Sequence, residues 1–338
     1  MPEPVVTVAI PTRDGGPLFE RVLTALAEQT VAHELLVCDS GSADGSPAAA
    51  RAHGARVIEI APTEFGHGRT RNLLMREARG THVALLTQDA EPASPRWLES
   101  LLAGFALADD VAVAFGPYLP RPDAPVPVRI ELERWFASLP AGVERLSADE
   151  RRELPAPAFV GRRGFLSDAN ACIRRDAWRQ VPFRDVSYAE DRALALELLR
   201  AGYAKAYVRD AAVLHSHRYG TLAQLRRSFD ESRGLLEVCG WREPAAPVRF
   251  VSQLRGEVGA ASRDPHVRAA GVPTRVAVLA GVARHHAARQ TGAILGSRAD
   301  RLPPVARRLL SLERRATFAP LQLDAPGGAE PPDPTRQL

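Results

Sequence analysis

Short, almost wholly apolar runs alternate with segments of helical periodicity over the first 117 residues. Five such runs are present, at 5–11, 33–39, 56–60, 82–89 and 111–116. Unbroken apolar runs of this length are typical of strands buried on both faces of a parallel sheet. Between them, apolar residues recur at helical spacing, most clearly over 18–26, 69–78 and 95–108. Strands that alternate with helices predict an α/β fold, in which helices cover both faces of a mostly parallel sheet.

The alternation becomes less regular after residue 117. The stretch 119–129 is rich in proline and is predicted to contain neither regular helix nor central strand. We predict strands within 165–175 and 205–218, and helices at 130–139, 188–203, 221–238 and through most of 245–315. The chain therefore divides into residues 1–117, a second half of the same domain at 118–240, a helical extension at 241–322, and a tail at 323–338. The composition of the tail predicts disorder.

Polar residues follow three of the predicted strands directly. They lie in the segments IPTRDGG (10–16), LVCDSGSADGS (36–46) and LLTQDAEP (85–92). Because ligands of open α/β sheets bind beyond the carboxyl ends of the strands, these segments are candidates for a binding site. Asp39 can accept hydrogen bonds from a nucleotide base or a ribose hydroxyl. Alternatively, Asp39 and its neighbours close a turn and cap the next helix.

Asp89 and two histidines are candidate metal ligands. An acidic side chain after a buried strand offers the oxygen ligands that Mg²⁺ or Mn²⁺ binds, and the alternative for Asp89 is a helix cap. In HSHR (215–218), His215 and His217 are predicted to share one face of a strand. An imidazole there can complete a metal site. The alternative for each histidine is an ordinary surface or core position.

Two predicted helices begin with charged residues. In FGHGRTRN (65–72), Arg71 lies in the first turn, where the positive end of the helix and a guanidinium both favour an anion such as a diphosphate. Glu190 and Asp191 open the helix at 188–203 and point about 100° apart. One of them can face a site while the other caps the helix. For both segments the alternative is a capped, solvated helix start.

Bulk properties exclude several classes of protein. The 338 residues are 45% hydrophobic, which is enough for a sizeable core. A net charge of +4 without a basic and aromatic stripe argues against nucleic-acid binding. Cys38, Cys172 and Cys239 form neither a disulfide framework nor a zinc motif. No segment has the pattern of a signal peptide or the roughly 18 unbroken apolar residues of a membrane span, so we expect a cytoplasmic protein.

The order of these segments resembles that of the family 2 glycosyltransferases of GT-A fold, over residues 5–235. The resemblance is carried by PTRDGG, CDSGSADGS, GRTRN, TQDAEP and AEDRALALELLRAGY. Within the family, the segments FGHGRTRN, TQDA and HSH are most similar to bacterial rhamnosyltransferases. The resemblance implies that residues 1–117 form a nucleotide-sugar-binding half, and residues 118–240 an acceptor and catalytic half.

The resemblance also implies roles for single residues. Asp191 would be the general base, and Asp89 and His217 would bind Mg²⁺ or Mn²⁺. Thr87 stands where the family's Asp-x-Asp motif has its first carboxylate, which weakens the predicted metal affinity. The nucleotide-sugar contacts would come from Pro11, Thr12, Arg13, Asp39, Arg71 and Gln88. We expect Asp39, Asp89, Asp191 and His217 to converge around one pocket.

The implied activity is the inverting transfer of one sugar, with rhamnose as the candidate, from a nucleoside diphosphate. The receiving hydroxyl would belong to a glycan, lipid-linked or small-molecule acceptor, in the synthesis of cell-surface or secondary-metabolite glycans. The QxxRW motif of processive synthases is absent, since the chain has QLRRS at 224–228. Two alternatives remain open. Thr87 supports a non-catalytic nucleotide-sugar-binding scaffold, and the other is a sugar-phosphate nucleotidyltransferase, for which PTRDGG is too short.

The acceptor is expected over residues 118–170. Four aromatic side chains there could stack on sugar faces or pack in the core: Trp135, Phe136, Phe159 and Phe165. The arginine-rich helices between 248 and 315 could rest on the inner face of a membrane that carries a lipid-linked acceptor. Because their arginines are spread along the sequence, a solvated helical face is the alternative.

Overall fold

The computed structural model describes residues 6–152 and 163–320. Its strands are β1 (Val6–Thr12), β2 (Glu34–Asp39), β3 (Arg56–Glu59), β4 (His82–Leu86), β5 (Glu91–Pro92), β6 (Val111–Phe115), β7 (Tyr118–Leu119), β8 (Gly142–Glu144), β9 (Asn170–Arg174), β10 (Ala204–Tyr207) and β11 (Val213–Leu214). Its helices are α1 (Gly16–Ala27), α2 (Ser46–Ala52), α3 (His67–Glu77), α4 (Trp97–Ala103), α5 (Val126–Ala137), α6 (Ala148–Arg152), α7 (Arg175–Gln180), α8 (Glu190–Arg200), α9 (Thr221–Cys239), α10 (Pro247–Arg263), α11 (Pro265–Ala269), α12 (Val272–Gly296) and α13 (Pro304–Leu310). The predicted tail at 323–338 lies outside the described residues.

Within the described ranges, eight strands form one large sheet in the order β3-β2-β1-β4-β9-β6-β10-β8. β9 pairs antiparallel with β4 and β6, and β8 pairs antiparallel with β10. The other neighbours pair in parallel. Six of the eight strands therefore run in one direction, and the predicted mostly parallel α/β fold is confirmed. The antiparallel β9 needs no crossover helix, and it follows the irregular part of the chain.

Helices cover both faces of this sheet. Along β1, Val8 and Ile10 pack in one apolar cluster with Phe19 of α1 and Trp97 of α4. Ala9, between them, packs in a second cluster with residues of α3 and α8 on the opposite face. All five side chains are fully buried. Because successive side chains of a strand point to opposite faces, a strand covered on both sides needs the unbroken apolar run seen in the sequence.

Two predictions for the second half of the chain are wrong in detail. α5 begins at Val126, inside the proline-rich stretch that was predicted to lack helix. Pro127 lies in its first turn, where no backbone N–H is needed and the fixed φ of proline already fits a helix. The strand expected over 205–218 is instead two short strands, β10 and β11, which belong to different sheets.

The helical extension packs against α9 and α5. On α12, Gly292 and Gly296 face the backbone of α9, and a methyl group on either glycine would overlap the carbonyl oxygen of Leu225 or Phe229. The two helices are therefore in direct backbone contact. The predicted helical character of the extension is confirmed, while the boundaries at 117, 240 and 322 stay predictions. Among the described helices, none has the length and apolar character needed to cross a membrane.

The chain that follows α13, called the C-terminal segment below, is held by charged side chains buried on α9. Asp230 accepts a hydrogen bond from the backbone N–H of Leu312 at 2.7 Å. Arg233 donates to the carbonyl oxygen of Arg315 at 3.2 Å, and Glu237 accepts from the backbone further along. The three charged residues are at most 3% exposed and lie on one face of α9. Their burial is explained by the backbone groups and opposite charges that they contact.

The single lysine of the chain, Lys205, lies in β10 and is 3% exposed. Its Nζ donates to the carbonyl oxygen of Phe165 at 2.9 Å and lies 3.4 Å from the carboxylate of Glu144. Burial lowers the pKa of the Lys205 ammonium to about 8, although Glu144 opposes the shift. The basic groups on the surface are therefore arginines and histidines.

Candidate active site

Three loops meet at the carboxyl edge of the large sheet. β1 and β2 pair in parallel, so that Thr12 lies opposite Asp39. Gln88, just after β4, accepts a hydrogen bond from Thr12 Oγ1 at 2.8 Å. The same amide accepts from the backbone N–H of Arg13 at 2.8 Å and donates to its carbonyl oxygen at 3.1 Å. Pro11 precedes them on β1 and is partly buried. The residues predicted to bind the nucleotide from these loops thus lie side by side, where ligands of such sheets bind.

The carboxylate of Asp39 closes the turn after β2. It accepts hydrogen bonds from the backbone N–H groups of Gly41 and Ser42, both at 3.0 Å, and from the Ser42 hydroxyl. Asp44 accepts from the N–H of Ser46 at 3.0 Å, at the start of α2. These are the turn contacts that the alternative interpretation expected. A carboxylate offers about four lone-pair sites, so nucleotide binding by Asp39 is compatible with them and stays a prediction.

A group of potential metal ligands lies beside this edge. In the smaller sheet, β11 lies between β5 and β7, and its pairing with β5 places Leu214 opposite Glu91. His215 and His217 follow β11 directly, and Asp89 precedes β5. His215 Nε2 lies 3.4 Å from Asp89 Oδ1, and His217 Nδ1 lies 3.7 Å from Asp89 Oδ2. One ligand atom of each side chain lies within 4.8 Å of the other two, which is close enough to bind one ion.

His215 extends the predicted metal set of Asp89 and His217. The expectation that the histidines share a strand face is wrong, because β11 ends before them. Aromatic contacts orient both rings: His215 packs edge-on against Tyr118 at 4.8 Å, and His217 stacks on Tyr219 at 5.1 Å between ring centroids. Burial raises the pKa of Asp89, but the hydrogen bond and charge of His215 outweigh it, so that this pKa lies well below its usual value.

At the start of α8, two adjacent acidic side chains turn to different partners. Glu190 pairs with Arg71 at 3.0 Å, and both Glu190 and Asp191 line the large cavity described below. Ala189, which precedes the helix, has a left-handed φ of 64° and no side chain that could cap it. Asp191 Oδ1 accepts the N–H of Arg192 at 2.7 Å. The expectation that one residue faces the site while the other caps the helix is therefore wrong: both line the cavity, Asp191 also accepts a hydrogen bond in the first turn, and Glu190 forms an ion pair.

Asp168 is a buried carboxylate that the sequence analysis missed. It contacts the Nε of Arg71, so that this guanidinium lies between Asp168 and Glu190. Burial raises the pKa of Asp168, and Arg71 opposes the shift. Burial, followed by the charge of Asp168, raises the pKa of Asp191 to about 7. No periodicity marks Asp168 in the sequence, because it lies in the irregular approach to β9.

The C-terminal segment reaches the same site. His67 Nε2 lies 3.2 Å from Glu313 Oε1, and His67 Nδ1 lies 3.9 Å from Glu190. Burial lowers the pKa of His67, but Glu313 and Glu190 outweigh it and raise that pKa above its usual value. His67 therefore joins the helix start of α3 to a residue nearly 250 positions away. The sequence offered no indication of this contact.

A cavity of about 1170 Å³ opens beside these residues. Asp89, His217 and Asp191 line it, as does Arg71. Asp39 is not among its lining residues, and neither are Pro11, Thr12, Arg13 and Gln88. Three of the four residues expected to converge therefore share the cavity, while Asp39 lies elsewhere on the sheet edge. The aromatic residues expected near the acceptor, Trp135, Phe136 and Phe165, also line it, and Phe159 lies outside the described residues.

A carboxylate with a raised pKa, Asp191, and a cluster of one carboxylate and two histidines thus lie beside the carboxyl edge of a mostly parallel sheet, which is an arrangement typical of an enzyme active site in an α/β fold. The family model for glycosyl transferase family 2 matches residues 7–166. The chain belongs to this family. The predicted family and the predicted glycosyltransferase activity are thus confirmed.

Two curated relatives lie in the predicted branch of the family. The O-antigen chain rhamnosyltransferase RfbN of Salmonella typhimurium is 30% identical over 240 residues, which cover 69% of this chain and 73% of the relative. The O-antigen chain rhamnosyltransferase WbaN of Salmonella anatum is 31% identical over 244 residues, which cover 70% and 73%. The expected resemblance to bacterial rhamnosyltransferases is confirmed.

The fold is similar to that of a solved mannosyltransferase, PcManGT from Pyrobaculum calidifontis, whose structure contains GDP-Man and Mn²⁺. The two chains superimpose with a TM-score of 0.55 at 20% identity, over 88% of this chain and 87% of the other. The predicted GT-A-type fold is confirmed.

Proposed function

We propose that this glycosyltransferase moves one rhamnose residue from a nucleoside diphosphate to an acceptor hydroxyl, with inversion at the anomeric carbon. One observation carries the proposal: Asp191 lines the same cavity as Asp89, His215 and His217. A base and a group of metal ligands thus face one space, which is what a displacement at a sugar phosphate needs. The names of the two Salmonella relatives support rhamnose as the sugar.

Asp191 would act as the general base. Its carboxylate takes the proton of the acceptor hydroxyl while the acceptor oxygen bonds to the anomeric carbon and the bond to the diphosphate oxygen breaks. A base is most effective when its pKa is near the working pH, and the pKa of Asp191 is about 7. One displacement with a single base opposite the leaving group inverts the configuration, by the geometry that also governs inverting glycosidases.

The donor nucleotide would lie along the sheet edge formed by Pro11, Thr12, Arg13, Asp39 and Gln88. Hydrogen bonds of Gln88 with Thr12 and Arg13 join two of the strand ends that form this edge. Arg71 would stabilise the diphosphate through its charge. Because Arg71 pairs with Asp168 and Glu190, we assign it a second role, which is to hold these carboxylates beside Asp191.

Asp89, His215 and His217 would hold a divalent cation, Mg²⁺ or Mn²⁺. Their donor atoms fit one ion, and three protein ligands leave coordination positions for diphosphate oxygens. Two imidazoles beside one carboxylate favour Mn²⁺ over the harder Mg²⁺. The bound ion would stabilise charge on the departing diphosphate. His215, as an additional ligand, would also compensate for the carboxylate that the family has at the position of Thr87.

Turnover of dTDP-rhamnose tests the proposal. We expect the purified protein to release dTDP in the presence of Mn²⁺ and a glycan acceptor, to lose this activity in EDTA, and to regain it when Mn²⁺ is restored. NMR of the product should show an anomeric configuration opposite to that of the donor. Full activity in EDTA would show that the reaction does not need the metal ion proposed at Asp89, His215 and His217. Tight binding of dTDP-rhamnose without any turnover would support the scaffold alternative instead.

A further inference from the structure

The cavity continues beyond the proposed base into a wall that the proposed reaction does not use. Helices α5, α9, α10 and α12 build this part of the cavity. The polar and aromatic side chains of the wall include Glu131, Trp135, Gln253, Glu257, Arg289 and Gln290. Four of these six belong to the helical extension. The wall includes neither the sheet edge proposed for the donor nucleotide nor the proposed metal ligands.

A short series of ring contacts connects the wall to the base. The guanidinium of Arg192, the residue after Asp191, lies 4.4 Å from the ring centroid of Phe165. The ring of Phe165 lies 5.1 Å from that of Trp135, edge to face. Trp135 is therefore separated from the base by two side-chain contacts. A molecule that presents a hydroxyl to Asp191 and extends into the cavity would next meet this wall.

Ion pairs between helices hold the wall in place. Arg289 of α12 contacts Glu131 of α5 at 3.2 Å and also contacts Glu257 of α10. His285 of α12 lies 3.0 Å from Glu131. These pairs link the extension to the sheet domain through three helices. A wall that is fixed before the ligand arrives loses little conformational freedom on binding.

The wall also offers hydrogen-bonding groups that other side chains leave unused. The indole N–H of Trp135 and the Nε–H of Arg289 are buried and have no partner within the described part of the chain. Gln290 donates to the amide oxygen of Gln253 at 3.3 Å, and this bond leaves the Gln253 amide nitrogen and the Gln290 amide oxygen available. Buried donors without partners destabilise a fold unless a ligand or water satisfies them. Beside an aromatic ring, such donors and acceptors suit a sugar with several hydroxyls.

We propose that this wall is the binding subsite for the second sugar of an oligosaccharide acceptor, the sugar next to the one whose hydroxyl reacts at Asp191. The inference rests on the proposed function. A cavity of about 1170 Å³ exceeds the roughly 300–1,000 Å³ of a typical small-ligand site, and so has room for more than one sugar. The helical extension thereby selects the acceptor, and acceptors with two sugars are preferred over single sugars.

Paired acceptors test the inference. The kcat/KM for transfer from dTDP-rhamnose would be measured with p-nitrophenyl glycosides of rhamnose, mannose and galactose, and with disaccharide glycosides that end in the same sugars. The kcat/KM of the best disaccharide should exceed that of its own terminal monosaccharide by about tenfold or more, which corresponds to about 1.4 kcal/mol of added binding free energy. The difference should lie in KM, because the wall does not touch the reacting atoms.

Two variants locate the preference in the wall. Trp135→Phe removes the N–H and keeps an aromatic ring, and Gln290→Ala removes the amide. Each should lower kcat/KM for the disaccharide several-fold, leave kcat/KM for the monosaccharide unchanged, and so lower the ratio of the two by the same factor. Glu133→Gln, on the exposed face of α5, is the matched control and should keep the wild-type ratio. Thermal unfolding of each variant shows whether it is folded.

The outcomes separate the two proposals. Equal kcat/KM for monosaccharides and disaccharides in an active wild-type enzyme would overturn the subsite and leave the proposed function standing. Equal losses with both kinds of acceptor in Trp135→Phe and Gln290→Ala would also overturn it, since the residues would then support the reaction itself. Absence of dTDP release with every acceptor would refute the proposed function, and the subsite with it.

Discussion

Asp168 is a buried carboxylate and Asp191 is a partly buried one, and their charges act on one another. Burial and then the charge of Asp168 raise the pKa of Asp191, while the guanidiniums of Arg192 and Arg71 limit the shift. The pKa of the proposed base therefore depends on Asp168, which lies some twenty positions earlier in the chain, outside the helices and strands. The activity of the enzyme should depend on pH accordingly.

Asp168→Asn should extend activity to lower pH. Asp191 acts when it is deprotonated, so the wild-type kcat falls as the pH drops through a pKa of about 7. Without the negative charge at position 168, the pKa of Asp191 falls, and we expect the acidic limb of the kcat profile to move down by roughly one pH unit. Asp123→Asn, an exposed substitution, should leave the profile in place. A shift to higher pH in Asp168→Asn would contradict this account.

Asp191→Asn should lower kcat by about 10²–10⁴-fold, the usual contribution of a general base. Because the proposed nucleotide contacts lie elsewhere on the sheet edge, the Kd of the donor should change little. Stopped assays with dTDP-rhamnose, together with calorimetric titration of dTDP, measure the two quantities. Asp109→Asn, on an exposed turn, serves as the control. If Asp191→Asn keeps the wild-type kcat, another residue is the base.

His215→Ala should weaken metal binding by at least tenfold. The imidazole lies 3.4 Å from the Asp89 carboxylate and is one of the three proposed metal ligands. Loss of a residue that merely supports a metal site already costs about 10–100-fold in affinity, and a ligand should cost no less. Titration with Mn²⁺, followed by EPR of the free ion, gives the Kd directly. His53→Ala, at an exposed helix end, should match the wild type.

Arg233→Met should destabilise the fold by about 3–5 kcal/mol, the cost of removing one partner from a buried ion pair. Arg233 is fully buried, and its guanidinium lies 3.6 Å from Asp230 and 4.0 Å from Glu237. The substitution leaves both carboxylates buried without that cation. Urea unfolding measures the change, and Arg308→Met on the exposed face of α13 is the control. A change below 1 kcal/mol would mean that water replaces the arginine.

The parts of the fold that could be predicted are those in which neighbouring residues determine the structure. The apolar runs at 5–11 and 33–39 specify strands covered on both faces, and Asp89 was located because it ends such a strand. Glu190 and Asp191 were located because they open a strongly periodic helix, and the family resemblance then singled out Asp191. Each of these inferences uses residues within about ten positions of one another.

The parts that could not be predicted depend on contacts between distant residues. Asp168 meets Arg71 across almost a hundred positions, and Glu313 meets His67 across nearly 250. His215 was singled out with His217, but only the folded position of β11 beside β5 shows that both face Asp89. The start of α5 was missed for a local reason, since the proline content hid a helix that tolerates proline in its first turn.

The buried position of Lys205 has a practical consequence. The folded protein presents no side-chain amine to reagents such as succinimidyl esters, because its one lysine lies within β10 and contacts Phe165 and Glu144. Acylation of Lys205 therefore requires a local opening that exposes its ammonium. Mass spectrometry of the peptide that contains Lys205 would report how often this part of the protein opens, with no engineered label.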